Sequence, residues 1–333
     1  MTTDSPLGTA VSADAVEPVA AGGWRPRLTA DAWFVPGLII VLLVALSLLS
    51  PVFFSQRNFA QILLQASTLG IVAVGATVVI IAGDLDLSIG ANVALSGTYA
   101  AIAMAVWDWP WVAGALFGLG VGVVIGLVNG LLSAYAKVPA FIATLGTGVL
   151  VGGIAIYLTN GLTIPGLPDA FAALATAKIL GLQGLVWFML ATFIIGGVVL
   201  HFTNFGIRTF ATGGNRDAAF LAGIPVARVR LLNFVIAGLC GGLAGVLLTA
   251  RVQAGQPGIS TTLTLYATAA VILGGTSILG GQGSMLRTFF GVLLIAIVQN
   301  GLDILGVAYS LQQVAVGAVF ILAACSEALR RRR

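Results

Sequence analysis

Residues 111–135 read WVAGALFGLGVGVVIGLVNGLLSAY. The run contains no charged side chain and no alternation of polar with apolar positions. An α-helix needs about 20 apolar residues to cross a bilayer, whereas a membrane barrel strand shows a period of two. The run therefore predicts a spanning helix. Within it Gly114, Gly118, Gly122, Gly126 and Gly130 recur every fourth residue and share one face. Small residues at that spacing let backbones approach closely, which drives helix association where lipid removes the hydrophobic force. The ridge reads as a helix-packing surface, with a sliding surface as the alternative. Either use places this helix near the centre of the bundle.

The remainder of the chain follows the same pattern. Hydrophobic residues make up 59% of the 333 and charged residues 8%, and the mean hydropathy is +1.08. Globular domains carry about 25% charged residues, so this chain could not cover a soluble surface. The expected fold is all-α: a polytopic integral membrane protein with about ten transmembrane helices. The segments are 32–52, 59–82, 89–106, 110–135, 138–158, 184–204, 229–251, 262–280, 284–302 and 308–329. Residues 1–31, with Asp4, Asp14 and Glu17 and no apolar run, read as a disordered cytoplasmic tail. Residues 32–333 read as one membrane domain.

Ten spans put both termini on one side. With that side cytoplasmic, twelve of the fifteen basic residues face inward, and only Arg57, Lys178 and Arg251 face outward. Arg330 to Arg333 follow an apolar segment directly and suit anionic lipid headgroups. Several chemistries lack their residues. The two lysines, Lys137 and Lys178, each follow alanine, so no phosphate-binding Gly-Lys-Ser/Thr loop exists. Cys240 and Cys325 show no metal spacing. The single histidine, His201, sits at the inner end of the sixth span and reads as a headgroup contact. No enzymatic activity, cofactor, metal or nucleic-acid partner is expected.

Two polar stretches interrupt the apolar pattern. Gly83-Asp84-Leu85-Asp86-Leu87-Ser88-Ile89-Gly90 follows the second span. In an extended segment Asp84, Asp86 and Ser88 share one face. Asp86 or Ser88 then caps the third span at its positive end; the other reading makes the three a lining of a path or gate. Asn92, Thr144, Gln299 and Asn300 are further path candidates, because they place amides and a hydroxyl in spans. The second stretch, Thr212 through Pro225, lies in a loop taken as 205–230. Asn215 is a good helix N-cap, Asp217 suits the first turn, and Gly223 with Pro225 stops the chain. That predicts one short helix of roughly two turns outside the membrane.

Here the chain resembles the permeases of ATP-binding-cassette importers. Asp217-Ala218-Ala219, with Gly223 four residues on, is similar to their coupling loop. Gly213 through Ala219 with Ala222-Gly223-Ile224 resembles its form in the ribose/xylose/arabinose permease family. Gly83–Gly90, Phe141–Thr147, Leu273–Ser277 and Gly280–Ser284 agree in order and spacing. The resemblance implies the importer permease fold and a translocation path for a monosaccharide. It implies ATPase subunits docked at Gly214, Asn215, Arg216, Asp217, Ala218, Ala219 and Gly223. It also implies a second, like or unlike permease and a periplasmic or lipid-anchored sugar-binding protein, in a bacterial cytoplasmic membrane. The chain departs from the family's charged positions at Gly152, Tyr266 and Val316, which suggests that some of the missing charges pair with one another in relatives and that this chain is the divergent member of an unlike pair, with simple drift in a homodimer as the alternative. The competing class is an ion-coupled secondary transporter of a small polar solute, using Asp84 or Asp86.

Overall fold

The computed structural model describes residues 33–258 and 261–318. The expected tail at 1–31, the arginines at 330–333, Cys325 and the end of the tenth segment lie outside the described residues. The helices are α1 (Phe34–Leu49), α2 (Gln56–Ile81), α3 (Ile89–Ala105), α4 (Trp111–Gly130), α5 (Ala140–Thr159), α6 (Asp169–Thr176), α7 (Gly184–Phe202), α8 (Asn204–Gly214), α9 (Arg216–Leu221), α10 (Val226–Val252), α11 (Thr261–Leu273) and α12 (Met285–Ile304). A further helix, α13, runs from 309 through 318. Each of the ten apolar segments holds a helix. Among the described residues, six helices are long and apolar enough to cross a membrane: α2, α4 with its extension to Tyr135, α5, α7, α10 and α12. The helices α1, α3 and α11 are apolar but shorter.

Local chemistry sets the helix ends. Ser55 caps α2, its hydroxyl accepting from the Asn58 N–H at 3.2 Å. Pro110, Pro139 and Pro225 stand at the entrances of α4, α5 and α10, where a missing N–H leaves no helical bond unmade. α4 finishes in a π turn, Leu131–Tyr135. The wider i→i+5 pitch leaves carbonyls without a helical partner, and one of them, that of Ser133, is used by the site described below.

The connections alternate between two ends. The turns after α2, α4, α8 and α11 gather at one end: Gly281 donates to the Ile81 carbonyl at 2.8 Å, and Arg230 to the Ser133 carbonyl at 2.9 Å. At the other end Ile164 and Gly255 form a two-way backbone bridge. Two elements there were absent from the sequence reading. These are α6, packed on α7 and α10, and a two-residue hairpin of β1 (Lys178–Ile179) and β2 (Leu182–Gln183). They are too short to show a hydrophobic period.

α10 packs on α2, α3 and α4 at the centre of the bundle. The α4 glycines make this possible. A Cβ on Gly122 would stand 2.6 Å from the Gly238 carbonyl oxygen and the Gly242 Cα of α10. One on Gly126 would run into the Phe234 carbonyl, and one on Gly118 would stand 2.9 Å from the Ala100 Cβ of α3. Gly114 faces Met104, and Gly130 faces Leu231. α10 answers with its own glycines, Gly238 and Gly242 against α4 and Gly245 against Val93 and Gly97 of α3, which the sequence reading passed over.

Gly126→Ala should lower thermal stability in detergent by about 1–3 kcal/mol through overpacking. Gly120→Ala, on the opposite side of the helix from Gly122 and open around its Cβ position, should leave the melting midpoint unchanged or slightly raised.

Candidate functional site

The two polar stretches form one structure. α2 ends at Ile81, and Gly83 turns the chain in a left-handed conformation at φ +78°. Asp84 follows, with its side chain only 4% exposed. A buried charge needs partners, and Asp84 has two. The Arg230 guanidinium of α10 grips both carboxylate oxygens, Nε to Oδ2 at 2.7 Å and Nη2 to Oδ1 at 2.9 Å. Its third nitrogen, Nη1, donates to the Ser133 carbonyl in the π turn at 2.9 Å. The Arg216 Nη2, from the first residue of α9, reaches Asp84 Oδ1 at 2.8 Å and the Gly83 carbonyl at 2.8 Å. Arg230 is 12% exposed and Arg216 43%.

The rest of the turn is bonded outward as well. The Leu87 N–H donates to the Thr144 hydroxyl of α5 at 3.1 Å, and that hydroxyl donates to Ala140 of its own helix at 2.8 Å. Asp86 Oδ1 accepts from the Ser88 N–H at 2.8 Å and the Ser88 hydroxyl at 2.6 Å. Asn129 of α4 donates to the Ser88 hydroxyl at 2.7 Å. The Gly90 N–H donates to the Thr264 hydroxyl of α11 at 3.0 Å. One eight-residue turn thus bonds to α4, α5, α9, α10 and α11.

This corrects the expected extended face. Ser88 already has helical angles, and Asp86 rather than Ser88 caps α3. The Asp86 carboxylate folds back onto Ser88 while Asp84 goes to the arginines, so the three polar side chains do not share a face. The glycine stretch 280–283 closes against the same turn. Gly280, at φ +86°, abuts Gly83, and a Cβ on Gly213 would run into the Ile81 carbonyl.

The segment 205–230 is not a loop with one helix. The chain turns at Thr203, which caps α8, and Gly206 in the first turn of α8 lies tight against the Leu200 carbonyl. α9 follows as expected. Asn215 Oδ1 accepts from the Ala218 N–H at 2.9 Å, Asp217 lies in the first turn, and Gly223 at φ +80° ends it. Arg228 and Arg230 belong to α10. Ala219 points inward, while Phe220 is 70% and Leu221 84% exposed. Neither was singled out from the sequence, although two large apolar residues inside a polar stretch are the available signal.

The other path candidates are placed apart. Asn92 is buried and donates to the Gly122 and Gly238 carbonyls at 3.2 and 3.1 Å, tying α3 to α4 and α10. Asn300 donates to Asn58 of α2 at 3.0 Å. Gln299 is half-buried and bonds to Tyr266. Asn300 and Gln299 lie in the last turns of α12, away from the Asp84 turn, which meets the other end of that helix. Of the three departures from the family's charges, the Tyr266 hydroxyl donates to Gln313, one turn before Val316, at 2.8 Å. Around a Cβ on Gly152 there is open space. His201 accepts weakly from the Met285 N–H at 3.4 Å and lies against Phe210. Among the described residues no group of three His, Cys, Asp or Glu could hold a metal.

Residues 58–324 match the family described as "Branched-chain amino acid transport system / permease component". The chain belongs to this permease family. It is 39% identical over 287 residues to the ribose import permease protein RbsC of Bacillus subtilis, covering 86% of this chain and 89% of that one. It is 39% identical over 289 residues to the Escherichia coli K12 protein of that name, with 86% and 90% covered. It is 34% identical over 294 residues to the L-arabinose transport system permease protein AraH of E. coli K12, with 87% and 89% covered. No solved structure matches. The relatives are transport permeases, which agrees with a chain that lacks a nucleotide-hydrolysing motif of its own.

Removing Arg230 leaves a buried carboxylate short of its main partner, at a cost of about 3–5 kcal/mol. Arg230→Gln should therefore lower the yield of monodisperse protein on size exclusion and depress the melting midpoint. Asp217→Asn, at an exposed first-turn position, should change neither measurably.

Proposed function

We propose that this chain is the permease subunit of an ATP-driven importer of a monosaccharide, ribose-like or arabinose-like, in a bacterial cytoplasmic membrane. The observation that carries the reading is the 39% identity across 86% of the chain to ribose import permeases. α9 supports it. A six-residue helix with an inward Ala219 and outward Phe220 and Leu221 is suited to a groove in a soluble partner rather than to solvent. In this reading Gly214 through Ala219, Phe220, Leu221 and Gly223 meet a cytoplasmic ATPase subunit.

Ten helices then cross the bilayer with both termini cytoplasmic. A second permease, a copy or an unlike chain, completes the path, and the exposed apolar faces of α4, α5 and α7 divide between it and lipid. A sugar-binding protein, periplasmic or lipid-anchored, delivers the cargo at the far end. Closure of the ATPase pair on ATP moves α9 as a rigid body and switches the path between inward- and outward-open states.

The ion-coupled alternative draws no support from the carboxylates. Asp84 is held by two guanidinium groups, and Asp86 is engaged by Ser88.

Uptake of labelled D-ribose and L-arabinose by cells carrying the complete system tests the reading. ATP depletion should stop accumulation, and vanadate should stop it in vesicles supplied with ATP, while an uncoupler leaves ATP-fed vesicles active. Immediate collapse with the uncoupler and indifference to vanadate would favour ion coupling. Replacing Phe220 and Leu221 together by Asp should prevent co-purification of the ATPase while the permease still inserts.

A further inference from the structure

Asp84 is shared unequally. Arg230 binds it from the middle of the packed bundle, through two nitrogens, with a third nitrogen fixed on the Ser133 carbonyl. Arg216 binds it from the short, surface-exposed α9, through one nitrogen that also holds the Gly83 carbonyl. Arg230 sits on an element that cannot shift without disturbing the α4–α10 glycine contact. Arg216 sits on a helix of six residues joined to the bundle by few contacts. Beyond Asp84, the same turn holds α5 through Thr144, α4 through Asn129 and α11 through Thr264.

We infer that Arg216 is the positioning residue that transmits movement of α9 to the turn 83–90, with Arg230 as the fixed side of a shared clamp on Asp84. The inference rests on the ATP-driven reading and adds its route. Force on α9 reaches the membrane helices through the Arg216 bonds to Asp84 and Gly83. It is passed to the N-terminus of α3 and to α5, whose Thr144 bonds to Leu87. Stiff packing transmits such shifts only between discrete arrangements. The Arg216 bonds are suited to rearrange because that side chain remains solvent-accessible, while Arg230 keeps both oxygens of the buried Asp84 bonded.

The geometry sets an asymmetric expectation. One nitrogen makes both Arg216 bonds, so a lysine ammonium can reproduce them. Arg230 uses three nitrogens in a planar fork, which lysine cannot reproduce.

Hydrogen exchange on the unmodified permease, purified with its ATPase subunits, is the first test. Adding Mg-ATP with vanadate should alter exchange in 213–221 and, together with it, in the amides of Leu87, Ser88 and Gly90. A change confined to 213–221 overturns this inference and leaves the ATP-driven reading standing. No change in either segment overturns both.

The second test is uptake of D-ribose or L-arabinose per ATP hydrolysed in proteoliposomes. Arg216→Gln should lower that ratio about tenfold, within the 5–150-fold range of couplings between sites, and Arg216→Lys should restore most of it. A purely structural role for Arg216 predicts less active protein at an unchanged ratio, and that result overturns the inference. If Arg216→Gln does not insert, Arg216→Lys against Arg230→Lys carries the test. The first should keep the wild-type ratio and melting midpoint, and the second should lose the midpoint; equal behaviour of the two overturns the asymmetry.

Discussion

The buried, arginine-paired carboxylate of Asp84 organises one end of this protein. Asp84 cannot be left alone in an apolar bundle, because an isolated charge there costs far more than a fold this size can spare. Its partners come from residues 132 and 146 positions away in sequence. Satisfying it therefore fixes where α9 and the start of α10 lie relative to the end of α2. The π turn after α4 is drawn into the same arrangement, since it exposes the Ser133 carbonyl that occupies the third Arg230 nitrogen. The polar residues around it follow the same rule. At the start of α3 the N–H groups of Leu87, Ser88 and Gly90, which have no helical acceptor, bond to side-chain oxygens of Thr144, Asp86 and Thr264.

The membrane part depends on a different constraint. Burial against another helix gains little over burial in lipid, so close backbone approach has to supply the attraction. The facing glycine rows of α4 and α10 do this, and Asn92 adds two bonds at the same contact by donating to one carbonyl from each row, Gly122 and Gly238. These bonds are possible only because the glycines leave the carbonyls uncovered. The glycine contact and the Asn92 bonds thus belong to one joint, and α10 is its common member. α10 also carries Arg230, so the fixed side of the Asp84 clamp is built into the best-packed helix.

Much of the helical layout was legible in the sequence, because an apolar run with no alternation has one solution in lipid. The ends of α9 were legible too: Asn215 and Gly223 act through local chemistry that needs no tertiary partner. What lay hidden was whatever depends on contacts distant in sequence. Asp84 looked like one of a pair with Asp86, yet its chemistry belongs to Arg216 and Arg230. Asn92 looked like a path residue and is spent on helix packing. α8 was read as loop because Gly206, Gly213 and Gly214 lower its helix propensity, while the close approaches at Gly206 and Gly213 are what hold it in place. The α10 glycine row escaped notice because Gly241 and Gly242 are adjacent and blur the four-residue spacing that marks α4.

The two ends of the bundle differ in how their polar groups are bonded. Around the Asp84 turn Asn92, Thr144 and Ser88 are buried and each is bonded to protein, although Asn129 Oδ1 and Ser133 Oγ have no partner among the described residues. A ligand entering there would have to break several bonds that also hold the helices. At the opposite end Gln299, Tyr266 and Gln313 are only partly buried and bond one another through single amide and hydroxyl contacts. Groups of that kind exchange hydrogen-bond partners at small net cost, since one neutral hydrogen bond replaces another. The contacts on Asp84 are thus ionic, with the carboxylate itself buried, while those at the Gln299 end are neutral and more open.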